Sequence, residues 1–95
     1  MTQREDPNDD LIGIIGQEVV LDATSRYVLV GTLAEVGHAH VVLINADVHD
    51  LRDSTTTREL YVLETRRHGI RANRHRVMVR RDEIVSISRL QDVVP

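Results

Sequence analysis

Two adjacent arginines, Arg80 and Arg81, stand in the stretch VMVRRDEIVSI (77–87), between two short apolar runs and directly before Asp82 and Glu83. A guanidinium is planar, permanently charged and able to donate two parallel hydrogen bonds to a phosphate or carboxylate. The chemistry on offer is therefore anion binding. The pair closes a longer basic block: residues 66–81 hold seven arginines (Arg66, Arg67, Arg71, Arg74, Arg76, Arg80, Arg81), two histidines and no acid. Outside that block, five arginines stand against fifteen acids, a net −10, so the overall charge of −3 conceals a basic segment in an acidic chain. Such asymmetry is the pattern of a focused anion-binding surface, or of a solvated face neutralised by nearby acids. All twelve basic residues are arginine, which suits bidentate phosphate recognition and which a biased genomic base composition would produce equally well.

Other chemistries find less support. His38 and His40 form an H-x-H pair that a strand would place on one side, but no third ligand pattern accompanies it, so no metal is expected. Ser86 and Ser88 lack the strained nucleophile turn of a hydrolase. There is no cysteine, which removes disulfides, thiolate ligands and thiol nucleophiles together. The expectation is a protein that is not an enzyme and carries no cofactor. Tyr27 and Tyr61 are the only aromatic rings of the Phe, Tyr and Trp class, few for a protein that reads bases by stacking.

These residues need a scaffold, and 95 residues at 41% hydrophobic and 28% charged make one globular domain. Residues 1–7 read as a disordered acidic tail. Asn8 is expected to cap a short helix whose Leu11, Ile12 and Ile15 share a face, with Gly16 as its stop. Strands follow over 17–22, 27–36 and 40–48, the second placing Tyr27, Leu29, Gly31 and Leu33 on one face. Gly31 in mid-strand predicts a bend or a close backbone approach. The stretch 49–74 breaks the alternation. Thr56 with Glu59 forms a capping box, Leu60 and Leu63 follow at helical spacing, and Gly69 ends a helix of three turns. The basic run RANRHR then leads into VMV and IVSI, the last two strands, and residues 91–95 form a tail. Five short strands in meander order favour a strongly bent sheet that closes on itself.

This pattern resembles the Sm and Sm-like family, small five-stranded barrels opened by an N-terminal helix. Of the first family motif, GTLAEVGHAHVVLINAD (31–47) keeps Gly31, Leu33, the apolar run Val42–Ile44 and the Asn45-Ala46-Asp47 end. Of the second, VRRDEIVSI (79–87) keeps Val79, Arg80, Asp82, Ile84 and Ile87. The resemblance covers about residues 8–48 and 75–90, with the helical insertion in place of the family's variable loop. It departs at the family's RNA site. Gly37 stands at the aspartate position, Ala39 near the stacking position, Val41 at the asparagine position, and Arg81 where glycine is usual. His40 takes over stacking if the turn is shifted by one residue. The Lys-His pair of the bacterial Hfq branch is absent.

The resemblance implies a mainly β, SH3-like (Sm) barrel over 8–90 that assembles into a cyclic homo-oligomer by pairing its fourth strand with a neighbour's fifth. It also implies binding of RNA or another polyanion at the pore or rim through Arg80, Arg81, His40 and Asp82, with Arg66, Arg67, Arg71, Arg74 and Arg76 as an adjoining basic patch. A competing expectation is an oligomeric scaffold that binds other proteins and has lost the nucleotide pocket. The first ten residues lack the apolar core of a signal peptide and no apolar run spans a bilayer, so a cytoplasmic protein without membrane contact is expected.

Overall fold

The computed structural model describes residues 9–53 and 56–95. The chain forms one antiparallel sheet of five strands: β1 (Glu18–Ala23), β2 (Tyr27–Val36), β3 (His40–Asp50), β4 (Arg74–Arg80) and β5 (Ile84–Arg89), in the spatial order β4-β3-β2-β1-β5. Strand periodicity sends Val19, Leu21, Leu29, Leu33, Val41 and Leu43 to one face, where they form a fully or nearly fully buried cluster. Val77 and Val79 of β4 and Ile84 and Ile87 of β5 pack on that same cluster. Strands from opposite ends of the sheet order can meet one core only if the sheet curls round it.

Bulges supply the curl. Between Val30↔Asp47 and Thr32↔Ile44, the single Gly31 faces two residues of β3, Asn45 and Ala46. Asn45 adopts φ 49°, a left-handed conformation that asparagine accepts more readily than most residues. The register shifts again at Ala34 of β2, and between Asp22/Ala23 of β1 against β5. Each extra residue bends its strand and increases the local twist.

A second cluster occupies the opposite face: Val20, Val28 and Val30 of the sheet, Val62 of helix α1 (Arg58–His68), and Leu90. The insertion between β3 and β4 is thus a lid on the outer face of β1 and β2, not a free loop. Its buried positions are Val62 and Thr65, whereas Leu60, one of the two leucines noted at helical spacing, is exposed. Thr57, one residue after the expected cap, accepts from the Leu60 amide, and Gly69 (φ 89°) ends the helix. A polar knot seats α1: the Tyr61 hydroxyl donates to Asp47, the Tyr61 ring stacks on His49 at 4.1 Å, and Asn73 bonds Asp47 and both backbone groups of Val48 at 2.9–3.1 Å.

At the N-terminus the expected helix is a single 3-10 segment, Asp10–Ile14. Asp9 caps it by accepting from the Leu11 amide at 3.0 Å, and Asn8, the expected cap, lies outside the described residues. The C-terminal stretch does not trail off at once: Leu90–Asp92 form a 3-10 turn, and Val93 packs on the second cluster.

Candidate nucleic-acid interface

Two connections meet at one end of the barrel. The β2–β3 turn, closed by the Gly37 amide on the His40 carbonyl at 2.8 Å, lies against the β4–β5 joint, where the Arg81 amide donates to the Ala39 carbonyl at 2.9 Å. The register of β3 on β4 sets His40 directly opposite Arg80, and directly opposed residues share a face.

The joint itself explains the doubled arginine. Residues Arg81–Glu83 form a 3-10 turn flanked by extended residues, Arg80 at φ −67° and Ile84 at φ −92°. No left-handed residue occurs in it, so the place where glycine is usual in the resembling family accepts a side chain. The turn is anchored at both ends. Glu83 accepts from the Thr24 hydroxyl while its carbonyl accepts the Thr24 amide at 2.8 Å, tying the joint to the β1–β2 turn. Arg81 reaches across the joint to the Gly37 carbonyl at 2.9 Å and to the Asp9 carboxylate. That guanidinium, with the Leu11 amide, holds the Asp9 carboxyl below the ordinary carboxylate range, against the opposing effect of burial.

The two arginines therefore have different environments. The Arg81 side chain is 31% exposed and its Nη1 donors are committed to Asp9 and Gly37. The Arg80 side chain is 64% exposed and, among the described residues, its ion-pair partner is an equally open carboxylate, Asp82, at 2.7 Å. Exposed pairs of this kind contribute little and are screened by salt, so Arg80 can exchange Asp82 for an incoming anion at small cost. Asp9 as the partner of Arg81 was not legible in the sequence, since 72 residues separate them.

The basic block divides between two elements. Arg66 and Arg67 occupy the last turn of α1, where a cation opposes the helix dipole; Arg66 donates to the Gln91 carbonyl at 3.4 Å, and Glu64 attracts Arg67 at 3.9 Å and His68 at 3.0 Å. Arg71 lines a cleft with Asp47, Tyr61, Glu64 and His68. Arg74 and Arg76 belong to β4 with Arg80, not to a loop leading into it.

The remaining candidates resolve simply. The Ser86 hydroxyl donates to Asp22 at 2.8 Å, and Asp22 also pairs with Arg58 at 2.8 Å, so its serine–acid contact is completed by an arginine and not by a histidine. Among the described residues no group of three or more His, Cys, Asp or Glu is placed to hold a metal ion. None of the described helices is long and apolar enough to cross a membrane.

Comparison with known proteins bears on the fold. No protein-family model matches the sequence, and no curated protein does. Among solved structures, the chain superposes on an Sm protein of Pyrococcus abyssii, solved in complex with a uridine heptamer, with a TM-score of 0.59 and 16% identity over 90% of this chain and 99% of that one. The five-stranded barrel with its strand order is thus an Sm-like fold.

Proposed function

We propose that this Sm-like barrel binds RNA, or a polyanion of like charge, where the β2–β3 turn meets the β4–β5 joint. Arg80 is the anion contact, Asp82 its resting partner, His40 a stacking surface beside it, and Arg81 the residue that locks the two connections in place. The observation that carries this reading is the His40↔Arg80 register: it joins a cation and a flat ring on one face of a paired turn, the combination that single-strand recognition uses. The uridine heptamer held by the superposed Sm protein supports the same class of ligand.

Assembly belongs to the same proposal. Among the described strands β4 and β5 each pair on one side only, and Val85, the extra residue of the β5 bulge, is 68% exposed. Open edges of this kind invite pairing with another chain. A ring formed by β4 against a neighbour's β5 would repeat Arg80 in every subunit and concentrate its field.

Oligouridine binding measured across a salt series tests the reading. Wild-type protein is expected to bind at low salt with a negative log–log slope, and Arg80→Ala to weaken binding and lower the slope by about 0.7 per lost phosphate contact. Light scattering is expected to give a mass of several chains. Absence of binding at low salt refutes the RNA reading. It would favour a protein-binding scaffold, for which the commitment of Arg81 to Asp9 and Gly37 already speaks.

A further inference from the structure

We infer that the outward face of β4 is a second contact for the same RNA, a rail for the sugar–phosphate backbone that runs from the joint toward Asn73. The inference rests on the RNA reading above and names a path that the turn alone does not supply.

Strand alternation fixes the side chains. Val77 and Val79 pack into the barrel core, so Arg76, Met78 and Arg80 project outward, and Arg74, opposite the core residue Ala46, is exposed where the strand begins. Three of these four positions are arginine, and cross-strand pairing adds Ile44 opposite Arg76, Val42 opposite Met78 and His40 opposite Arg80. Alternate residues along a strand stand about 6.6–6.8 Å apart, so Arg74 to Arg80 covers about 20 Å. A stretched single strand can follow that repeat with a phosphate at each guanidinium and a gap at Met78.

Charge at a sheet edge also serves to prevent aggregation. Two features go beyond it. The row is weakly neutralised: Arg76 meets Glu35 at 3.4 Å with both groups more than half exposed, and Arg74 donates to the Asn73 carbonyl without an ion pair among the described residues. In a chain with fifteen acids, few carboxylates have been placed here. Second, Met78 is 50% exposed in the middle of the row. Met78 stands opposite the buried Val42, and the half of it that stays exposed gives a ribose or base lying between two bound phosphates an apolar seat. Side chains stand perpendicular to the sheet while edge pairing runs in its plane, so a neighbouring subunit on β4 leaves the rail open.

The test compares a short oligouridine, long enough for the turn alone, with one about twice as long, on wild type, on Arg74→Gln/Arg76→Gln and on Arg74→Lys/Arg76→Lys. Thermal melting first verifies that each exposed double substitution leaves the fold intact. Wild type is expected to favour the longer strand. The glutamine variant is expected to lose about tenfold in affinity for it and about 1.4 in salt slope, while its affinity for the short strand is unchanged; the lysine variant keeps the slope. If wild type binds RNA but the glutamine variant retains both the length preference and the slope, the rail is refuted while the turn site stands. If wild type binds neither strand, the RNA reading fails and the rail with it. Displacement of the long strand by polyglutamate as readily as by oligouridine also overturns the proposal, in favour of an acidic protein partner.

Discussion

Replacing Gly31 by alanine tests the bend on which the whole end of the barrel depends. A Cβ built at Gly31 falls 2.9 Å from the Ala46 Cβ, 3.0 Å from the Ala46 Cα and 3.2 Å from the Ile44 carbonyl oxygen. These neighbours are backbone, or the first atom of a fully buried side chain, so no rotamer change relieves them. Overpacking of this type costs about 1–3 kcal/mol, and with no rotamer to relieve it this site falls in the upper half, about 2–3 kcal/mol. The lower unfolded-state entropy of alanine returns about 0.5–1 kcal/mol, which leaves a net loss of about 1–2.5 kcal/mol. In a domain of this size each kcal/mol moves the melting point by about 4–8 °C, so Gly31→Ala should melt roughly 5–20 °C lower. Circular dichroism melts and urea titrations with an unchanged m-value measure it. Ala46→Gly removes the closest contact but leaves the Cα and the Ile44 oxygen, so the double variant should recover part of the loss, and the double-mutant cycle should be non-additive. A Gly31→Ala melting point within a degree of wild type, or strictly additive substitutions, would refute the close approach as the reason for glycine.

Three further outcomes follow from the polar contacts. Asp50 receives the Arg52 side chain and amide, which hold its carboxyl at about 2, below the ordinary 3.8; Asp9 is lowered in the same direction, chiefly by Arg81. A depressed carboxyl contributes stability above its unfolded value and loses it as the pH falls through the folded one. Melting points should therefore fall between about pH 4 and pH 2, and Asp50→Asn should flatten that limb, a result that unchanged pH profiles would contradict. Tyr61→Phe removes the donor to Asp47 while the Asn73 bond remains; a loss of about 1 kcal/mol in urea unfolding is expected. The Tyr61 phenol is raised above its ordinary 10.0 by burial and then by Asp47, so an absorbance titration should show a tyrosine ionising late, and that late step should vanish in Tyr61→Phe.

The parts of this molecule legible in the sequence are those set by alternation. The 27–36 strand, its inward face and the close approach at Gly31 follow from a period of two and a glycine in mid-strand. The helical insertion announced itself by breaking that period, but its seat did not: Val62 and Thr65 face the sheet instead of Leu60 because Val20, Val28 and Val30 offer a second apolar face, and no single helix sequence says what will cover it. RANRHR reads as a loop since its outward positions are arginine and its inward ones become apolar only at Val77. Only pairing with Ile44 and Ala46 shows Arg74 and Arg76 to be strand.

The pair Arg80-Arg81 shows how far local sequence reaches into function. By type the two residues are identical, and by spacing either could be the anion contact. Their difference is tertiary. Arg81 finds a carbonyl across the turn and a carboxylate 72 residues away, and using that Nη1 group on a phosphate would break both bonds. Arg80 faces outward on the same side as His40, paired with a neighbour it can release. A glycine at position 81 would leave Arg80 in place but lose the staple between the joint, the Gly37 turn and the Asp9 cap. In the function proposed above the second arginine acts on the first only by fixing the turn from which it projects. Arg81→Gly should therefore lower the melting point and weaken oligouridine binding while the salt slope, which counts phosphate contacts, stays that of wild type.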